Sequence, residues 1–92
     1  MNPDKHLHHN AVMVLNGMHD MANKGEITWY GAIVEHLSPN LSRSDVSNAL
    51  DLLFDFGLVE GHYCQIEKGV ARYKYIYKIT DTGEKFLKSV HG

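Results

Sequence analysis

Residues 75–87 constrain the fold of this chain more than any other stretch, because their apolar pattern changes period within a few residues. As far as Ile79, apolar and basic side chains alternate, which is typical of a β-strand with two unlike faces. One face carries Tyr73, Tyr75, Tyr77 and Ile79, and the other carries Arg72, Lys74 and Lys78. Beyond this strand the pattern is that of an amphipathic helix, which we place at about residues 82–90 with Thr80 or Asp81 as its cap.

The composition is that of one small domain. The chain has 92 residues, of which 43% are hydrophobic and 22% charged. We expect a single domain over residues 1–92, with an ordered part from about residue 8 to residue 90. No apolar run is long enough to span a membrane, and the single cysteine, Cys64, has no partner for an internal disulfide. A cytoplasmic location is therefore the simplest prediction.

Two helices are predicted in the N-terminal half of the chain. The first covers residues 8–23, where apolar side chains recur every three to four positions, and Gly25 follows it as a left-handed cap. A short extended link leads to the second helix, residues 29–37, for which Thr28 is the expected cap. Pro39 ends this helix, because a proline disfavours helical geometry in the residue before it.

A third helix is predicted over about residues 42–56. Ser42 or Ser44 can cap its start, and Gly57 stops it. The positions expected to face the core are Val46, Ala49, Leu50, Leu53 and Phe54. The positions expected on the opposite face are Ser44, Ser47, Asn48 and Asp51.

Positive charge is concentrated in a predicted hairpin. Its strands cover residues 58–67 and 71–80, with a turn at Lys68-Gly69. Although the net charge of the chain is −2, residues 62–80 carry four cations against one carboxylate. Residues 1–61, by contrast, carry three cations against eight carboxylates. A local basic patch of this kind can steer a protein towards phosphate even when the whole chain is acidic.

Three segments together resemble the winged helix-turn-helix superfamily, and in particular small transcriptional regulators of the MarR and PadR types. They are Ser42 to Leu50 (SRSDVSNAL), Phe56 to Val59 (FGLV) and Tyr77 to Gly83 (YKITDTG). The resemblance extends over about residues 10–90. It implies an α+β fold with a three-helix core, a two-stranded β-wing and a C-terminal helix.

The same resemblance implies sequence-specific binding of double-stranded DNA. A recognition helix at about residues 42–56 would enter the major groove, and a basic wing at about residues 58–80 would hold the neighbouring backbone. The implied DNA-binding residues are Arg43, Ser44, Ser47 and Asn48 on the helix, and Lys68, Arg72 and Lys74 on the wing. Arginine can pair with guanine, asparagine with adenine, and serine with phosphate.

A second hypothesis is a winged-helix module that binds proteins and not DNA. The helix side chains named above would then form an ordinary solvated face, and the lysines would protect an exposed strand edge from aggregation. Asp51 and Asp55 would repel phosphate, which favours this hypothesis, as does the tyrosine-rich strand. We expect Tyr75 and Tyr77 to pack on the helices, Tyr77 in the core, and leave Tyr73 open.

A homodimer is the expected assembly, because two copies would match a two-fold symmetric operator. We place the first helix at its centre. This helix carries more apolar surface than one face needs, in Val12, Met13, Leu15, Met18 and Met21.

No cofactor, metal or enzymatic activity is predicted. His6 and His9 have the spacing to share one face of a helix, but no supporting set of ligands accompanies them. The chain contains no glycine-rich phosphate loop and no GxSxG or HExxH motif. The sequence does not identify an operator or a small-molecule effector.

Overall fold

Four helices and a two-stranded antiparallel sheet make up the described part of this protein. The computed structural model describes residues 8–65, 69 and 73–91. In chain order the elements are α1 (His9–Asn23), α2 (Tyr30–Leu37), α3 (Arg43–Asp55), β1 (Val59–Gln65), β2 (Tyr73–Ile79) and α4 (Asp81–His91). The α+β class and the predicted element order are confirmed, and the layout is compatible with a winged helix. None of the helices described is long and apolar enough to cross a membrane.

Helix α1 lies at the centre of the core and contacts the other three helices and β2. Its fully buried side chains are Ala11, Val14, Leu15, Met18 and Met21. The helix ends as predicted at Gly25, which has a φ of 75°. The Gly25 N–H donates to the Ala22 carbonyl at 3.0 Å, and the Glu26 N–H donates to the Met21 carbonyl at 2.9 Å. This pair of bonds is a Schellman cap.

The link between α1 and α2 runs along the outer edge of β2. Thr28 is buried, and its hydroxyl donates to the Tyr77 carbonyl. The Tyr77 N–H donates in return to the Thr28 carbonyl at 2.9 Å, and Trp29 forms an antiparallel bridge with Ile76. The predicted capping role of Thr28 is therefore wrong. Trp29 occupies the cap position of α2 and makes no side-chain cap bond, because an indole has no acceptor. The Thr28 hydroxyl is engaged by the sheet.

Helix α3 begins in a capping box. The Asp45 N–H donates to the Ser42 hydroxyl, and the Ser42 N–H donates to the Asp45 carboxylate, both at 3.1 Å. Of the two serines predicted as caps, Ser42 is therefore the cap. The predicted core positions Val46, Ala49, Leu50 and Leu53 are all buried. Phe54, the fifth, is 36% exposed, because it lies on the flank of α3 where its ring meets Tyr77.

The hairpin pairs Val59 with Ile79 at its base and Gln65 with Tyr73 at the far end. Both faces of β2 contribute to packing. Tyr77 and Ile79 lie half-buried against the core, whereas Ile76, on the same face as the lysines, is only 8% exposed. The predicted strand ends at residues 66–67 and 71–72 lie outside the described residues.

The junction between β2 and α4 is tied to the end of α3. The Thr80 hydroxyl accepts the Gly83 N–H at 3.0 Å and donates to the Gly57 carbonyl at 2.7 Å. The Thr80 N–H also donates to the Leu58 carbonyl at 3.0 Å. Thr80 is thus the cap of α4, as one of the two predicted alternatives stated. Leu58 and Val59 are buried beside this junction, so the hairpin leaves the helical core at a fixed position.

Candidate nucleic-acid interface

Helices α2 and α3 are joined by only five residues and are locked together by one tyrosine. Tyr30, the first residue of α2, places its hydroxyl 2.7 Å from the Ser47 hydroxyl. The same hydroxyl donates to the Arg43 carbonyl at 3.1 Å. Ser47 is half-buried and committed to this contact, so it positions α3. Its contact with DNA stays a prediction.

The N-terminal half of α3 brings three of the predicted residues to the surface. Arg43, Ser44 and Asn48 are all exposed. The Arg43 guanidinium lies 5.4 Å from the centroid of the Tyr30 ring, a cation–π arrangement that holds its stem along α2. Asn48 lines a cavity of about 240 Å³ between α3 and the start of α1, where His8 also lies. Ser44 and Asn48, one turn apart, lie opposite the buried face of the helix, whereas Arg43 lies on the side that faces α2.

The capping box adds a negative charge to the first turn of α3. Hydrogen bonds from Ser42, first from its backbone N–H and then from its hydroxyl, lower the pKa of the Asp45 carboxyl below its usual value of 3.8. Asp45 is therefore ionised at neutral pH, where it complements the positive end of the helix dipole. It fixes where α3 begins, and with that the direction in which Arg43 and Ser44 leave the helix.

The C-terminal half of the exposed face is acidic. Asp51 and Asp55 are both exposed, and they stand one turn apart in register with Ser44 and Asn48. Among the described residues of α3, Arg43 is the only cation. The face is thus divided, with hydrogen-bonding groups and one cation near its start and two carboxylates near its end.

On the hairpin, one of the three predicted basic residues can be placed. The Lys74 ammonium lies 3.4 Å from the centroid of the Trp29 ring, and the side chain is exposed. The indole face holds this cation beside the start of α2. Lys68 and Arg72 lie outside the described residues, so the contiguous basic surface expected for the hairpin is not defined by the structure.

Sequence reasoning missed a row of stacked aromatic rings on the other face of the hairpin. Phe54 contacts Tyr77 at 5.7 Å between ring centroids, Tyr77 contacts Tyr75 at 5.3 Å, and Tyr75 contacts Tyr63 at 4.9 Å. All three pairs are edge-to-face. We call these four residues the aromatic ladder. It runs from the flank of α3 out to Tyr63, which is 75% exposed.

The ladder depends on the register of the sheet. Tyr63 pairs directly with Tyr75, and the Tyr75 ring lies over Gly61, where an added Cβ would come within 2.5 Å of the ring. Tyr77 packs at the core as predicted, and burial is the main cause that raises the pKa of its phenol. Tyr75, also expected to pack on the helices, is 37% exposed, because its ring lies over Gly61 and meets Tyr63. The Tyr73 side chain lies outside the description. The alternating tyrosines of β2 were visible in the sequence. That Tyr63 pairs with Tyr75 can be recognised only once the register of the two strands is known.

The fold and this surface define a small α+β protein in which a helix pair presents one polar face beside a two-stranded hairpin. No protein-family model matches the chain, and no curated protein matches it significantly. Among solved structures, the chain is similar to the crystal structure of Pex from Synechococcus sp. (strain PCC 7942). The two share 22% sequence identity over 84% of this chain and 76% of that chain, with a TM-score of 0.54. At this identity the likeness concerns the fold alone.

Proposed function

We propose that the protein is a sequence-specific double-stranded DNA-binding transcriptional regulator of the winged helix-turn-helix type, acting in the cytoplasm. The observation that carries this proposal is the exposure of Arg43, Ser44 and Asn48 in the N-terminal half of α3, while the apolar positions of the same helix are buried in the core. An α-helix fits the major groove of B-form DNA, and these side chains have the donors and acceptors that read it.

The rigidity of α3 supports this role. A helix that reads bases must be held in position before it meets DNA, because ordering it on binding would cost affinity. Here the Ser42–Asp45 capping box holds its start and the Tyr30 hydroxyl holds its second turn. Leu50 and Leu53 anchor its inner face.

We assign separate tasks to the polar side chains. Arg43 would donate two hydrogen bonds to a guanine, and Asn48 would pair with an adenine. Ser44 would contact phosphate. Asp51 and Asp55 require that the C-terminal half of α3 lies farther from the DNA backbone, so the helix would enter the groove by its N-terminal end. Lys74, with Lys68 and Arg72, would contact phosphates from the wing.

The regulator would act as a homodimer on a two-fold symmetric site. Leu15, Met18 and Met21 are buried in the core of the chain itself. Less apolar surface of α1 therefore remains for contact with a partner than the sequence indicated. Val12 and Met13 remain half-buried on this helix. We keep α1 at the centre of the proposed interface on account of these two residues.

Selection of bound duplexes from a random pool, followed by a salt titration, tests the proposal. We expect saturable binding to a selected duplex at about 50 mM salt, and binding to a scrambled duplex weaker by at least about tenfold. Arg43→Ala should weaken binding to the selected duplex, whereas Lys88→Ala, which removes an equal charge from the exposed face of α4, should leave it unchanged. Absence of binding to any duplex at this salt concentration would refute the proposal.

One observation favours a second candidate, a winged-helix module that binds a protein partner. The aromatic ladder exposes three rings beside the acidic half of α3, and exposed aromatic side chains are enriched at protein interfaces. If no duplex binds, this candidate leads. Tyr63→Ala is then the first variant to test, because the side chain is exposed enough to be removed without disturbing the core.

A further inference from the structure

A groove of about 420 Å³ opens on the side of the molecule formed by the end of α1, the link, β2 and the start of α4. Its walls are mainly apolar. Met18 and Ala22 come from α1, Ile27 from the link, and Ile76 from β2. Small-molecule sites in proteins have this size, and a mainly apolar lining with few polar groups is typical of them. Ile27 is half-exposed, so the apolar surface continues to the rim.

The polar groups of the groove carry a net negative charge. Glu26 and Glu84 contribute two carboxylates, and Lys78 contributes one ammonium group. Glu84 lies 3.7 Å from the His19 ring, whereas Lys78 is exposed and stands on a flexible side chain. A bound cation can therefore approach either carboxylate while the lysine turns towards solvent.

We propose that this groove binds a small apolar amine, a molecule with one aromatic or branched aliphatic body and one ammonium group. The body would lie against Met18 and Ile76, and the ammonium would pair with Glu26 and Glu84. A carboxylate of the same shape would meet two like charges and only one opposite charge. The groove therefore discriminates between the two ligands by charge while accepting both by shape.

The groove also spans the contact between the link and β2. Thr28 and Tyr77, which form the hydrogen-bonded pair between link and β2, both line it. A ligand seated there would stabilise the attachment of the hairpin to α1. Binding itself needs neither DNA nor a second copy of the chain, so this proposal stands or falls independently of the proposed function.

The test is a titration of the full chain with small-molecule probes, in the absence of DNA and at about neutral pH. Binding is monitored through amide NMR chemical shifts. The probes are 2-phenylethylamine and its carboxylate counterpart 3-phenylpropionate. For a ligand this small we expect a dissociation constant on the order of 1 mM for the amine, with shifts concentrated at Ala22, Ile27 and Ile76. The carboxylate should bind about fivefold more weakly, because the carboxylates are partly solvated and each contributes modestly.

Two variants and one control complete the experiment. Ala22→Leu fills the groove from an exposed helical position and should abolish binding, while the same spectra report whether the chain is folded. The double variant Glu26→Gln with Glu84→Gln should reduce the affinity for the amine about fivefold. The amine and the carboxylate should then bind with similar affinity. Asp20→Asn removes an exposed carboxylate of α1 outside the groove and should change neither. Equal or tighter binding of the carboxylate to the unmodified chain, unchanged binding to Ala22→Leu, or no saturable shifts at about 10 mM amine would each overturn the proposal.

Discussion

The hydroxyl groups of Tyr30 and Ser47 lie 2.7 Å apart and join the first turn of α2 to the second turn of α3. Because the one proton of the tyrosine hydroxyl is donated to the Arg43 carbonyl, the Ser47 hydroxyl acts as the donor in this contact. Two bonds from one side chain thus fix how α3 is presented. Ser47 is thus part of this support, and its contact with DNA stays a prediction.

Replacing Tyr30 with Phe should lower the free energy of unfolding by about 1–2 kcal/mol, since both hydrogen bonds are lost while the ring remains. Chemical denaturation measures this change. Tyr63→Phe removes a hydroxyl from a 75% exposed ring and should change the unfolding free energy by less than about 0.5 kcal/mol. Equal effects of the two substitutions would show that the Tyr30 contacts contribute nothing.

Leu50→Ala should destabilise the fold by about 2–5 kcal/mol, because the side chain is only 2% exposed and its removal leaves a cavity in the core. The matched control is Leu52→Ala in the same helix, where the side chain is half-buried and the loss should be clearly smaller. Thermal unfolding of the two variants makes the comparison. A melting temperature for Leu50→Ala at or above that of Leu52→Ala would contradict the position of α3 in the core.

Gly83→Ala should also be costly. An added Cβ would lie 2.2 Å from the Leu58 carbonyl oxygen and 2.6 Å from the Ile79 side chain, and the first of these is backbone that cannot rotate away. We expect a loss of about 1–3 kcal/mol in unfolding free energy, typical of overpacking. Ser89→Ala, at an exposed position of α4, is the control and should be close to neutral. A stable Gly83→Ala variant would mean that α4 does not approach Leu58 this closely.

Asp45 makes stability depend on pH at acidic values. Its hydrogen bonds with Ser42 depress the pKa of the carboxyl in the folded state. The stabilisation is therefore fully present above the unfolded value of about 3.8 and is lost as pH falls through the lower folded value. Asp45→Asn should flatten the pH dependence of the melting temperature below about pH 4, and Ser42→Ala, which removes the hydroxyl but keeps the backbone N–H, should flatten it less. An unchanged acid profile in both variants would exclude the capping box in solution.

Helix and wing variants should differ in how they affect DNA binding. Arg43→Ala and Asn48→Ala should cost about 1–3 kcal/mol on the selected duplex and reduce discrimination against other duplexes. Lys68→Ala with Arg72→Ala should weaken binding to all duplexes alike. It should also reduce the log–log salt slope by roughly one unit for each lost phosphate contact. Binding measured across a salt series separates the two patterns. Loss of sequence discrimination in the wing variant would reverse the assignment.

Local chemistry explains most of what the sequence predicted correctly. Ser42 needs only Asp45 three residues later to form its capping box, and Gly25 needs only the end of α1. Such interactions are complete within a few residues, so they can be recognised before any tertiary structure is known. The periodic apolar positions of α3 are predictable for the same reason.

The errors arise where a distant segment competes for a side chain. The Thr28 hydroxyl bonds the Tyr77 carbonyl of β2, which lies 49 residues away. Phe54 belongs to the core by helical period but meets Tyr77 at the margin of the domain. No local pattern reveals these partners. The aromatic ladder and the groove likewise depend on which strands and helices come together.

The hydrogen bonds of Thr80 affect which positions can change between related chains. Through Gly57, Leu58 and Gly83 they join the segments FGLV and TDTG into one physical unit, although 20 residues of chain lie between the segments. The unit depends on the Thr80 hydroxyl and on the absence of a side chain at Gly83, so these two residues should persist together in related chains. Intervening strand residues with exposed side chains are under no such restriction. Sequence similarity between related chains should therefore persist longest at this junction, and it should be recognisable there after most other positions have diverged.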